Sequence, residues 1–142
     1  MADPRAIVNH EGNTGPYDTF IIDASTITYS ATVAGGSSQV GLAVTLSTDD
    51  TIKLTEDGEL VLGKLSEVSK DGFARVQVRG CMTLPGGDSA TLTLGEKIVG
   101  DLGAASAKGY IRAVATGTAG ELGHARGAIL NNNTTTAVVV ML

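Results

Sequence analysis

From Ala74 to Arg79 the chain reads Ala-Arg-Val-Gln-Val-Arg, with apolar and polar side chains alternating at every step. Successive side chains of a strand point to opposite faces, so Ala74, Val76 and Val78 share one side and Arg75, Gln77 and Arg79 the other. One face is built to be buried and the other to stay wet, the signature of a half-buried antiparallel strand. Lys70-Asp71-Gly72 precedes this run, and an Asp-Gly pair favours a tight hairpin.

Similar short runs recur along the chain with turn residues between them. Strands are expected over 40–46, 51–54, 60–69 with a bend at Gly63, 73–80, 90–94, 97–100, 110–114, 124–130 and 137–142. Asp49-Asp50, the Asp57-Gly58 pair of a second hairpin, residues 85–88 and the Asn-Thr run 131–136 supply turns. The 19 glycines suit many turns, and the abundant Val and Thr sit well on a pleated surface. No long helical stripe assembles anywhere. These signals predict an all-β fold, a small β-barrel or sandwich of short antiparallel strands.

The run Ala137-Val138-Val139-Val140-Met141-Leu142 is continuously apolar, which belongs at a sheet centre. It is expected to close the barrel, paired with 124–130 across the Asn-Thr turn. Residues 1–38 have a different character. Residues 9–17 are turn-rich, 18–33 are extended without clean alternation, and Ala-Gly-Gly-Ser-Ser punctuates 34–38. This suggests an extended N-terminal arm or an irregular strand pair over 1–38 and a barrel domain over 39–142. The arm's Tyr17, Phe20, Ile21, Ile22 and Tyr29 are then candidate partner contacts, with packing against their own barrel as the competing reading.

Several function classes fit poorly. The 15 acidic and 10 basic residues give a net charge of −5, and the basic ones are scattered singly, so no nucleic-acid footprint exists. No apolar run approaches the ~20 residues of a membrane helix, and no basic region followed by an apolar stretch opens the chain. A single cysteine, Cys81, excludes an internal disulfide, and a small buried role is expected for it. Residues 58–65 nearly match a phosphate loop, but Leu65 stands where a hydroxyl must hold magnesium. His10, His124 and Cys81 lack metal-ligand spacing, and the aspartates are explained by turns. No cofactor and no catalytic constellation are expected. Aromatic residues, at 4%, are too few for a stacking platform.

The ordered pieces "GLAVTL…TIKLTEDGELVLGKLSEVSKDGFARVQVRGCMTLPGG", "LTLGEKIVGD", "GYIRAV" and "ARGAILNNNTTTAVVVML" resemble the small capsid decoration (cement) proteins of tailed bacteriophages. Gly80, Gly95, Arg126 and the valines near the end carry most of the likeness, which covers residues 39–142. Where the pattern has Gly-Asp, this chain has Gly95-Glu96. The resemblance implies a non-catalytic virion protein, made in the host cytoplasm. It would sit on the outer face of an icosahedral head, commonly as a homotrimer at threefold and quasi-threefold positions. Its partner would be the major capsid protein. The alternative is a receptor- or glycan-binding head or tail module on a similar β fold.

Overall fold

The structure is a computed structural model and describes residues 15–88, 90–114, 119–133 and 135–141. Five strands close into a barrel: β1 (Tyr17–Ile22), β2 (Ala43–Thr48), β3 (Thr51–Leu54), β4 (Gly63–Val68) and β5 (Phe73–Gln77). Their order around the barrel is β1-β3-β2-β4-β5. Closure is made by β1, antiparallel to β5 through Phe20↔Ala74 and parallel to β3 through Ile22↔Ile52. The other barrel pairings are antiparallel. The expected all-β architecture is therefore present. The alternation in β5 falls as the sequence indicates: Ala74, Val76 and Val78 are buried, and Arg75 and Arg79 are exposed.

A second unit stands against the barrel. β6 (Gly80–Pro85), β9 (Ala128–Asn132) and β10 (Thr136–Met141) form a sheet in the order β6-β10-β9. β7 (Ile98–Asp101) and β8 (Tyr110–Ala113) form an antiparallel ribbon, and a single helical turn, α1, spans Ala119–Leu122. Each unit has its own core. Phe20, Ile27, Val44, Ile52, Leu65 and Val76 are among the residues filling the barrel. Met82, Leu84, Ile98, Ile111, Val139 and Met141 are among those filling the second core.

Four expectations change. The run at 137–141 does not close the barrel; β10 is the centre of the second sheet, between β6 and β9. A continuous apolar strand suits that place, because neighbours flank it on both edges. Residues 17–38 are not an arm, because β1 is a barrel stave. Phe20 is buried in the barrel core and Ile27 is fully buried. Burying such side chains is worth about 2–3 kcal/mol each, which a detached arm would forgo. Residues 1–14 of the expected arm lie outside the described residues.

The Asp57-Gly58 turn is also no hairpin, since β3 and β4 each pair with β2 and not with one another. Instead Gly58 N–H donates to the Gly100 carbonyl at 2.9 Å, and Gly100 N–H to Glu59 at 2.8 Å, fastening the turn to β7. Finally, residues 90–94 form no strand. Leu92 alone enters the core, and Thr91 lends its carbonyl to Ala113 N–H.

Candidate interaction surfaces

The five apolar residues singled out in the sequence share one region but not one role. Strand periodicity turns Phe20 and Ile22 toward the barrel interior, where Phe20 is core and Ile22 packs against it. Ile21, facing outward, lies opposite Phe73 on β5 and is half-buried. Tyr17 is 43% exposed, and the Arg75 guanidinium stands 5.3 Å from its ring centroid, within cation–π range. Tyr29 is exposed on the loop that follows β1, beside Gly36. Only Tyr17 and Tyr29 present substantial surface to a partner.

A network of ion pairs lies where the two units meet. Lys53 Nζ donates to Glu59 at 2.8 Å and lies 3.6 Å from Glu56, which also pairs with Lys108 at 2.6 Å. Arg112 on β8 holds both oxygens of Glu121 in a fork and donates through Nε to Asp57 at 3.1 Å. The Glu121 hydrogen bond raises the Arg112 guanidinium well above its ordinary value, so its charge is permanent. His124 Nε2–H donates to the Gly58 carbonyl at 2.6 Å. Burial raises the Asp101 carboxyl, and nearby Asp57 adds to the shift.

Arg126 has the most structural reach of these. Its guanidinium donates to the carbonyls of Val61 (3.2 Å), Leu62 (2.8 Å) and Val78 (3.4 Å), while its backbone pairs with Ile98. Burial pulls it below its ordinary pKa. These charges are committed to one another or to backbone groups. Such an arrangement clamps elements together. Among the described residues, no group of three or more His, Cys, Asp and Glu side chains is placed to hold a metal.

The outer face of the second sheet is uncharged and mixed in polarity. In the β6-β10-β9 sheet, Met82, Leu84, Ile129, Ala137, Val139 and Met141 point inward. The alternate residues therefore form the outer face: Cys81 and Thr83 on β6, half-buried Val138 and Val140 on β10, Ala128 and Asn131 on β9. Val140 stands opposite both Cys81 and Ala128, and Val138 opposite Thr83. Leu130, at the bulge in β9, is 53% exposed. Cys81 is exposed and not the buried residue the sequence suggested, because the even-numbered residues of β6 take the inward positions. The signal was present in Cys81-Met82-Thr83-Leu84, whose alternation marks a strand.

Of the two histidines, His10 lies outside the described residues and His124 sits at the junction. The near-match to a phosphate loop spans the Gly58 turn and the start of β4, with no helix after it. No helix of the described residues is long and apolar enough to cross a membrane. Comparison with protein-family models, with curated proteins and with solved structures finds no match.

Proposed function

We propose that this chain is a capsid decoration protein. It binds the outer surface of an icosahedral phage head and stabilises the lattice of the major capsid protein without catalysis, as trimers at threefold and quasi-threefold positions. The sequence resemblance suggests the role, and one observation in the structure supports it. The outer face of the β6-β10-β9 sheet offers Cys81, Thr83, Ala128, Leu130, Val138 and Val140, none of them charged, on a chain of net charge −5. An uncharged, partly apolar face of this kind suits contact with another protein. A protein that binds the assembled lattice and not free subunits stabilises the lattice by mass action. Many copies on a fixed lattice then need only modest affinity each.

Co-sedimentation with expanded heads lacking the protein tests this reading. Saturable binding is expected, and Val138→Lys with Val140→Lys should weaken it strongly while the chain stays folded. No binding to heads, with binding to host cells or oligosaccharides instead, would favour the receptor- or glycan-binding alternative.

A further inference from the structure

β6 lies at the end of its sheet, with β10 along one edge only. In an antiparallel ladder the backbone groups of successive residues point to opposite edges, so a few contacts fix which residues use which edge. Asn133 N–H donates to the Thr136 carbonyl at 2.9 Å, so Thr136 serves β9 and Ala137 serves β6. Ala137 stands opposite Leu84, and Gly86 N–H donates to the Thr135 carbonyl at 2.7 Å. Met82, Leu84 and Gly86 therefore turn their backbone groups to β10, and Cys81, Thr83 and Pro85 turn theirs away. The Cys81 carbonyl agrees, since it accepts Gln77 Nε2 from the barrel at 3.0 Å. Pro85 agrees as well, because a sheet admits proline where the missing N–H would face away from the ladder.

The chain closes both ends of this outer edge itself. Gln77 caps the Cys81 carbonyl, and at the far end Gly86 bridges to Ile111 on β8, whose carbonyl accepts Gly87 N–H at 3.0 Å. Between these ends lie the Cys81 N–H and the Thr83 N–H and carbonyl. Among the described residues nothing meets them, and Cys81 and Thr83 are both exposed. The neighbouring strands differ: residues 95–96 cover β9, Glu59 and Arg126 cover β7, and Thr91 and Gly87 cover β8. Unmet main-chain donors and acceptors on an exposed edge are answered by extended backbone. A second copy of β6 would arrive with its own Gln77 and β8 at the ends of the opening, so a slim extended segment fits better. The adjoining outer face, with Val138 and Val140, is uncharged, which selects uncharged side chains on that segment. We infer that β6, at Cys81 and Thr83, is a strand-addition site for an extended, uncharged segment of a protein partner. The segment's main chain bonds to the Cys81 N–H and to both Thr83 groups. That this partner belongs to a capsid lattice rests on the function proposed above; the open edge does not.

A peptide probe separates the two. Acetyl-Thr-Val-Thr-Val-Thr-amide is titrated into the full chain and followed by NMR, with the same peptide N-methylated at every residue as control. In the free chain the Cys81 and Thr83 amides should exchange quickly with solvent and those of Met82 and Leu84 slowly; the reverse order overturns the inference. Saturable shifts over residues 81–84 are expected with the unmethylated peptide only, and Thr83 N–H should become protected. A few main-chain hydrogen bonds of ordinary strength place this contact in the ~1 mM regime. Thr83→Pro removes the outward donor and leaves the ladder to β10 intact, as Pro85 does in the same strand. It should weaken peptide binding at least about fivefold, the scale of one lost hydrogen bond. Should that variant not fold, the methylated control still decides. Four outcomes overturn the inference: equal response to the methylated peptide, shifts centred elsewhere, concentration-dependent shifts of β6 without peptide, or no saturable response at ~10 mM. A positive peptide result without head binding would reject the capsid role and leave the open edge standing. Head binding with a negative peptide result would do the opposite.

Discussion

Ala43 and Val44 are adjacent on β2, are both fully buried, and belong to different hydrophobic cores. Ala43 faces the second unit and Val44 the barrel interior. One strand therefore serves both units, and the two should unfold together. Val44→Ala removes buried methyl groups at a cost of about 2 kcal/mol. The expected result in native-state hydrogen exchange is an equal loss of protection in β5 and in β10. Loss confined to β5 would mean that the cores are energetically separate.

Arg126 is the second tie. Arg126→Met keeps a stem of similar length but leaves the Val61, Leu62 and Val78 carbonyls without that donor. Losing charge-assisted bonds to partly buried groups is expected to cost about 3 kcal/mol. For a chain of this size that lowers Tm by roughly 10 °C. Arg126→Lys restores a charge without the fork and should recover only part of the loss. A thermal melt in which Met and wild type coincide would show the clamp to be idle.

The carboxyls make opposite contributions with pH. Asp101 is raised above its ordinary 3.8, mainly by burial. Its contribution is complete below pH 3.8 and is lost as pH climbs through the raised folded value. Asp101→Asn should therefore be more stable than wild type at neutral pH, with the gap closing toward pH 3. Asp23 is lowered, first by the Ser25 hydroxyl and then by the Ser25 N–H. Its contribution exists above pH 3.8 and disappears as pH falls through the lowered value. Asp23→Asn should lose stability at neutral pH and not in acid. Urea midpoints across pH 2.5–8 check both signs; a Asp101→Asn chain less stable at pH 7 would contradict the first.

Two glycines give a steric test. A Cβ on Gly63 would sit 2.1 Å from the Gln77 carbonyl oxygen, so β4 and β5 must separate to admit it. Gly63→Ala is expected to cost about 2–3 kcal/mol. Gly120, in α1, has open space around its Cβ position, and Gly120→Ala should change stability by less than ~0.5 kcal/mol. Chemical denaturation of the pair gives the comparison directly.

These residues also show where sequence is informative. Alternation in 73–79 identified β5 and its buried face because a strand's face is a local property. Asp71-Gly72 marked a real hairpin between β4 and β5, with Gly72 at φ 87°. Asp57-Gly58 carries the same dipeptide, yet β2 inserts between its flanking strands, a choice made by tertiary pairing. β1 went unrecognised as a stave because its outward Tyr17 and Ile21 blur the polar-apolar alternation. The 46% exposure of Leu46 on β2 was illegible for a related reason. Leu46 reads as core, and its exposure depends on where the barrel ends. The outer face of β10 was hidden inside a continuous apolar run, which gives no sign that Val138 and Val140 face away from Val139.

In the proposed role this chain holds a protein lattice together. Calorimetry of phage heads, bare and then saturated with the chain, tests it most directly. Saturated heads are expected to disrupt at a higher temperature, and the Val138→Lys/Val140→Lys chain to give little or no rise. An unchanged disruption temperature at full occupancy would contradict it.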